Sequence, residues 1–184
     1  AFSGYADKAA SEKKILRDVF VRGDRWFRTG DLMKQDSEGY VYFIDRIGDT
    51  FRWKGENVST NEVGEALSKI DGIATANVYG VPVPGTDGKA GMAAVTLDGE
   101  VDMPGVYKRL AALLPSYAVP IFIRVQPEAE TTGTFKYRKV ELVAEGFDPD
   151  KVDEPLWMFD PEEAAYVPMT QGRYDRLVSG GFKF

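Results

Sequence analysis

Between Ser59 and Val125 the hydrophobic pattern switches repeatedly between helical and extended periods, which restricts the chain to a small mixed architecture. Ser59-Thr60-Asn61-Glu62 has the Ser-x-x-Glu form of a capping box, and Val63, Ala66, Leu67 and Ile70 follow at helical spacing. After Asp71-Gly72 the pattern becomes extended, predicting strands over 73–83 and 90–97 across a turn at 84–89. A second helix is expected over 104–114, with Val106, Leu110, Leu113 and Leu114 inward and Pro115 as its stop. Residues 121–125 read as a third strand and 140–145 as a short helix. Short strands alternating with short helices predict an α+β class rather than a doubly wound sheet, namely a small mixed domain of short antiparallel strands flanked by helices.

The flanks are less regular. Residues 7–18 predict one amphipathic helix with Ile15, Leu16 and Val19 on one side. Residues 20–31 are aromatic and basic, then turn at Thr29-Gly30-Asp31. Ser37-Glu38-Gly39 is a turn signal followed by the β-rich run Tyr40-Val41-Tyr42-Phe43-Ile44, and Phe51-Arg52-Trp53-Lys54 alternates as a short strand would. A domain boundary is expected near Asp45–Asp49, where Gly48 separates two strand-like runs. From Phe147 onward the sequence is richer in proline and acids, with a helical candidate at 171–178.

Composition narrows the chemistry. A chain of 184 residues, 43% hydrophobic and 28% charged, suits an ordinary soluble core. It opens on Ala1 rather than Met, which fits a piece of something larger. No apolar run approaches the roughly 20 residues of a membrane span, and a net charge of -6 gives nucleic-acid binding no electrostatic support. Cysteine and histidine are both absent, which excludes disulfides, thiolate chemistry, zinc fingers and imidazole triads. Catalysis must rest on Lys, Arg, Asp, Glu, Tyr, Ser or Thr, and no residue is assigned to a metal.

Three motifs carry the functional reading. In Trp26-Phe27-Arg28-Thr29-Gly30-Asp31, a carboxylate at a glycine turn can accept from two vicinal hydroxyls, as a ribose diol requires; taken alone it is a surface turn. In the run from Asp45 to Val58, Gly48 and Gly55 bracket a basic, aromatic strand; Gly48 can absorb a large backbone change and Gly55 lets a ligand approach the main chain. The rival for that run is an ordinary β-hairpin with a solvated basic face. In Thr131-Thr132-Gly133-Thr134-Phe135-Lys136, a compact cation on a Gly/Thr-rich loop can reach a phosphate; a lone lysine is otherwise a charged loop residue.

In this order and spacing the three motifs resemble the acyl-adenylate-forming superfamily. Phe51–Thr60, Asn77-Val78-Tyr79-Gly80-Val81, the Lys136 loop and the tail motif Ala165-Tyr166-Val167-Pro168 look like its branch of fatty-acid transport proteins and very-long-chain acyl-CoA synthetases. The resemblance implies that Asp31 and Arg46 contact nucleotide and that Gly55, with Trp53 beside it, lines a coenzyme A tunnel. It also implies that Lys136 promotes adenylation and that Gly48 is a hinge. Departures are Gly48 itself, where many relatives carry Asp or Lys, and Thr134-Phe135 before Lys136, where many write Thr-Gly-Lys.

On that resemblance residues 1–46 end a large domain, and 47–184 form a carboxy-terminal lid with a family-specific tail. The implied substrates are ATP, coenzyme A and a fatty acid, with magnesium held by the large domain of the same chain. No phosphate-loop or acyl-pocket sequence occurs here, so this portion is expected to be inactive alone. The implied location is cytoplasmic, with peripheral attachment to the inner face of a membrane and a homo-oligomer left open and no nucleic-acid partner. The rival class is a non-catalytic nucleotide-sensing or docking module that kept the fold; Asp31, Arg46, Gly55 and Lys136 occurring together argue against decay.

Overall fold

A computed structural model describes residues 8–46, 50–128 and 139–184, and the chain divides into two compact units, Ala1–Ile47 and Gly48–Phe184. The first unit contains α1 (Lys8–Lys14), an antiparallel pair β1 (Ile15–Arg17) and β2 (Arg25–Phe27), and a second antiparallel pair β3 (Asp31–Gln35) and β4 (Val41–Arg46). The helix expected over 7–18 therefore stops at Lys14. Local polar chemistry explains the stop: the Asp24 carboxylate accepts from the N–H groups of Val19, Phe20 and Val21 at 2.7, 2.9 and 3.2 Å and from Trp26 Nε1 at 2.8 Å. Asp18 takes φ +54, outside the helical region, so the turn outcompetes the apolar spacing of Ile15, Leu16 and Val19.

The second unit begins with the hairpin β5 (Thr50–Trp53) and β6 (Glu56–Ser59). Lys54 and Gly55 take φ +51 and +84, the two left-handed residues that a type I′ turn requires. Next come α2 (Thr60–Leu67), β7 (Ile73–Val81), β8 (Ala90–Leu97), α3 (Met103–Leu113), β9 (Phe122–Val125), α4 (Val140–Glu145), β10 (Leu156–Asp160), β11 (Ala165–Pro168) and α5 (Gln171–Val178). Ser59 caps α2 as the sequence predicts, its Oγ accepting from Glu62 N at 3.3 Å. The strand expected over 73–83 ends two residues earlier, at Val81.

Five strands form one sheet in the order β11-β10-β9-β8-β7. Every pairing is antiparallel except β8–β9, which α3 connects as a parallel crossover. The proline- and acid-rich tail is thus no appendage, because it supplies β10 and β11. Tyr166 on β11 is fully buried and its hydroxyl donates to Pro120 O at 2.6 Å.

Alternation assigns the helices to opposite faces. A Cβ on Gly64 of α2 would meet Val78 Cγ2 at 4.0 Å, and Tyr107 of α3 stacks on Phe159 at 4.0 Å. The other face carries Asn77, Tyr79, Phe122 and Arg124; there Phe147, just past α4, stacks on Phe122 at 4.2 Å, and Arg124 pairs with Glu145 of α4. Leu67, Met92, Leu110, Phe122 and Met158 are inaccessible to solvent between these layers. Each such side chain contributes about 1.5–3 kcal/mol by leaving water.

Candidate nucleotide and thiol sites

Asp31 and Arg46 stand directly opposite each other in the β3–β4 ladder. The Thr-Gly-Asp turn that delivers Asp31 is tightly specified. Gly30 takes φ +85, Asp31 N donates to Thr29 Oγ1 at 3.1 Å, and Lys14 Nζ donates to Thr29 O at 3.1 Å. The register between Leu32 and Met33 is interrupted by a bulge, a common device for re-aiming residues at the end of a ladder. A sequence separation of fifteen residues is therefore closed by one hairpin, and the two predicted nucleotide residues share one end of it.

Trp53 and Gly55 lie together at the tip of β5–β6. A Cβ on Gly55 would meet nothing within 4 Å, so its glycine answers the backbone φ of the turn rather than crowding. The hairpin that the sequence left as a rival reading is present; it specifies Gly55 by itself, without reference to a ligand. Trp53 is buried, at 3% exposure, and borders a cavity of about 370 Å³ shared with Lys54, Thr86, Phe182 and Phe184.

The hairpin is locked to the sheet through glycines. The cross-strand pair Gly80 and Gly91 leaves room for Phe51: a Cβ on Gly80 would lie 2.6 Å from Phe51 Cβ, and one on Gly91 3.2 Å from Phe51 Cζ. Gly88 bridges to Trp53, and its added Cβ would fall 2.3 Å from Arg52 O. The hinge candidate Gly48 and the lysine Lys136 lie outside the described residues.

Sequence reasoning missed the polar group around Arg124. Arg124, 5% exposed, donates to Glu145 at the end of α4 and, at 2.7 Å, to Glu154 ahead of β10. Burial is the largest single influence on Glu154 and raises its pKa, but the hydrogen bond and charge of Arg124, with bonds from a backbone N–H and Gln126, together outweigh it and hold the carboxyl below its ordinary value. Tyr79 is pushed up by burial, and its hydroxyl has no partner among the described residues. No local pattern announces this group, because its members are 21 and 30 residues apart. Among the described residues no cluster of three or more metal-ligating side chains occurs, and no helix is long and apolar enough to cross a membrane.

This arrangement of capped helix, glycine-locked hairpin and mixed sheet is that of a known class: residues 62–136 match the AMP-binding enzyme C-terminal domain. Solved structures agree. The o-succinylbenzoate-CoA synthetase of Bacillus subtilis in complex with its acyl-adenylate intermediate is 27% identical, with TM-score 0.64 over 73% of this chain and 26% of that one. A fatty acyl-CoA synthetase of Mycobacterium tuberculosis is 28% identical, with TM-score 0.55 over 78% of this chain and 27% of its own.

The chain belongs to the acyl-adenylate-forming superfamily, in the branch of the long-chain fatty acid transport proteins. It is 52% identical to long-chain fatty acid transport protein 6 of Mus musculus over 97% of its own length and 29% of that protein. It is 47% identical to protein 1 of Homo sapiens over 98% and 28%. It thus spans under a third of the length of the relatives it matches.

Proposed function

We propose that this chain is the carboxy-terminal portion of an ATP-dependent long- or very-long-chain fatty acyl-CoA synthetase. The observation that carries the reading is similarity along nearly the whole chain, tail included, to long-chain fatty acid transport proteins, alongside the structural likeness to a fatty acyl-CoA synthetase. In the reaction a fatty acid carboxylate attacks the α-phosphorus of ATP and expels pyrophosphate. The thiol of coenzyme A then attacks the acyl carbon and releases AMP.

Each residue has a stated task. Asp31 accepts from the ribose hydroxyls and Arg46 neutralises nucleotide charge, a pairing supported by their opposition on one hairpin. Lys136 stabilises the charge that develops at phosphorus. Gly55 and Trp53 border the thiol path. Gly48 is the pivot that exchanges the Lys136 face for the Gly55 face between half-reactions. Residues 1–46 close the large domain, which supplies the phosphate loop, the acyl pocket and the magnesium site, so this chain alone turns over nothing.

The test is Lys136→Ala in the intact protein. Adenylate formation should fall by about 10²–10³, the usual loss for one preorganised electrostatic contact. Thioester formation from a supplied acyl-adenylate should be spared. Equal loss in both half-reactions, followed by rapid quench, would remove Lys136 from this role.

A further inference from the structure

Trp53 ends β5 at the tip of a hairpin, where an indole would ordinarily meet water, yet it is 3% exposed. The cavity of about 370 Å³ beside it is walled by two further segments of the second unit, 85–87 and 182–184. The loop that carries the first wall is fastened to the hairpin, because Gly88 bridges to Trp53 and Lys89 N donates to Arg52 O at 2.6 Å. The tip needs outside support, since Lys54 takes φ +51 where Asn, Asp or Gly fit best.

The wall made by the tail is equally specified. Gly180 takes φ +80 and its N–H donates to Leu177 O at 3.0 Å, while Gly181 N donates to Arg176 O at 2.8 Å; these are the paired bonds of a Schellman motif. The motif ends α5 and turns the chain back, so that the Arg176 guanidinium lies over the Phe182 ring at 4.3 Å. The same guanidinium donates to Glu162 Oε1 at 2.7 Å and, through Nε, to Gly181 O at 3.3 Å. An exposed ion pair alone adds little, but the added contacts on one planar cation fix its place. Glu162 belongs to the β10–β11 turn, where its N–H donates to the buried Asp160 at 2.9 Å. Phe182 and Phe184 stack 7° from parallel with centroids 6.0 Å apart, and both are partly buried against the core.

We propose that Phe182 and Phe184, pinned by Arg176, are positioning residues for thioester formation. They form the outer wall of the Trp53 cavity and hold the hairpin tip in the shape past which the thiol travels. The inference rests on the reading of Gly55 and Trp53 as borders of the thiol path. None of Arg176, Phe182 and Phe184 contacts nucleotide in that reading, so their effect belongs to the second half-reaction.

Rapid quench of the two half-reactions in the intact protein tests it. Replacing both rings, Phe182→Ala with Phe184→Ala, should raise KM for coenzyme A about tenfold in thioester formation from a supplied acyl-adenylate. There kcat should stay within about twofold, the pattern of weakened thiol binding, and adenylate formation should not change. Arg176→Gln should act in the same direction, as should Gly181→Ala, whose Cβ would fall 2.9 Å from Arg176 O. Arg173→Gln, which removes the pair with Glu163 on the same helix, should affect neither half-reaction. Trp53→Phe tests the thiol path itself. If it slows thioester formation and the tail variants do not, the tail has no such role while the thiol path stands; if it too has no effect, both fall. Equal losses in the two half-reactions, or a lowered Tm that accounts for them, reduce the tail to a structural part and overturn the inference.

Discussion

Arg124 illustrates how much a single buried charge can organise. Its guanidinium meets Glu145 and Glu154 from two different segments, and removing one member of such a group strands the others with little solvent. Arg124→Met should therefore cost about 3 kcal/mol in urea denaturation, the low end of the usual range because the Glu145 side chain is 40% exposed. Acid should act on the same contact. The folded pKa of Glu154 lies below its ordinary 4.5, so its contribution is present above that value and is lost as pH falls through the lowered folded pKa. Thermal melts of Glu154→Gln should lose less stability than wild type as pH drops below about 4.5. At this scale legibility was uneven. Thr-Gly-Asp and Asp-Arg are local motifs that drew attention to Asp31 and Arg46, and one hairpin pairs their backbones. Arg124 could not be read, since its partners are set by which face of the sheet α4 covers.

Elements with their own punctuation or a clear extended pattern were legible, β7, β8 and β9 among them, and the strands of the tail were not. The Ser59 cap, the stop at Pro115 and the windows 140–145 and 171–178 located four helices, although the first ends at Leu67, short of Ile70, whose spacing reads as helical. By contrast β10 reads Leu-Trp-Met-Phe-Asp, nearly all apolar, and lacks the alternation that marks a half-buried strand. It is a strand because β9 and β11 hydrogen-bond both its edges, β11 across the short turn 161–164 and β9 from far upstream at Phe122–Val125. β1 failed in the opposite direction, its helical spacing defeated by the Asp24 turn. The tail can be tested for its structural role through Tyr166→Phe. That change leaves the Pro120 carbonyl buried without its donor and should cost about 1–3 kcal/mol at unchanged m-value.

Across the whole molecule the two units differ in what they hide. In the first, Phe20, Tyr40, Val41, Tyr42 and Phe43 are all more than half exposed, and among the described residues its strands form two-stranded pairs, which are marginal in water by themselves. The second buries its large apolar residues on both sides of five strands. Hydrogen exchange should therefore find amides of 8–46 opening at least ~100-fold faster than those of β8 and β9. Comparable protection would mean that the first unit is anchored within this chain. The strand order has a further consequence for synthesis. From β7 onward each strand is laid on the edge made by the one before it, so the sheet grows in a single direction as the chain leaves the ribosome. Until Pro168 has emerged the growing edge lacks its next strand, and before β10 arrives that edge is Phe122–Val125, three apolar residues and Arg124. A stall or premature stop before the codon for Pro168 would thus release a polypeptide with an unpaired margin, inviting chaperones or another nascent copy to finish what β10 and β11 normally complete.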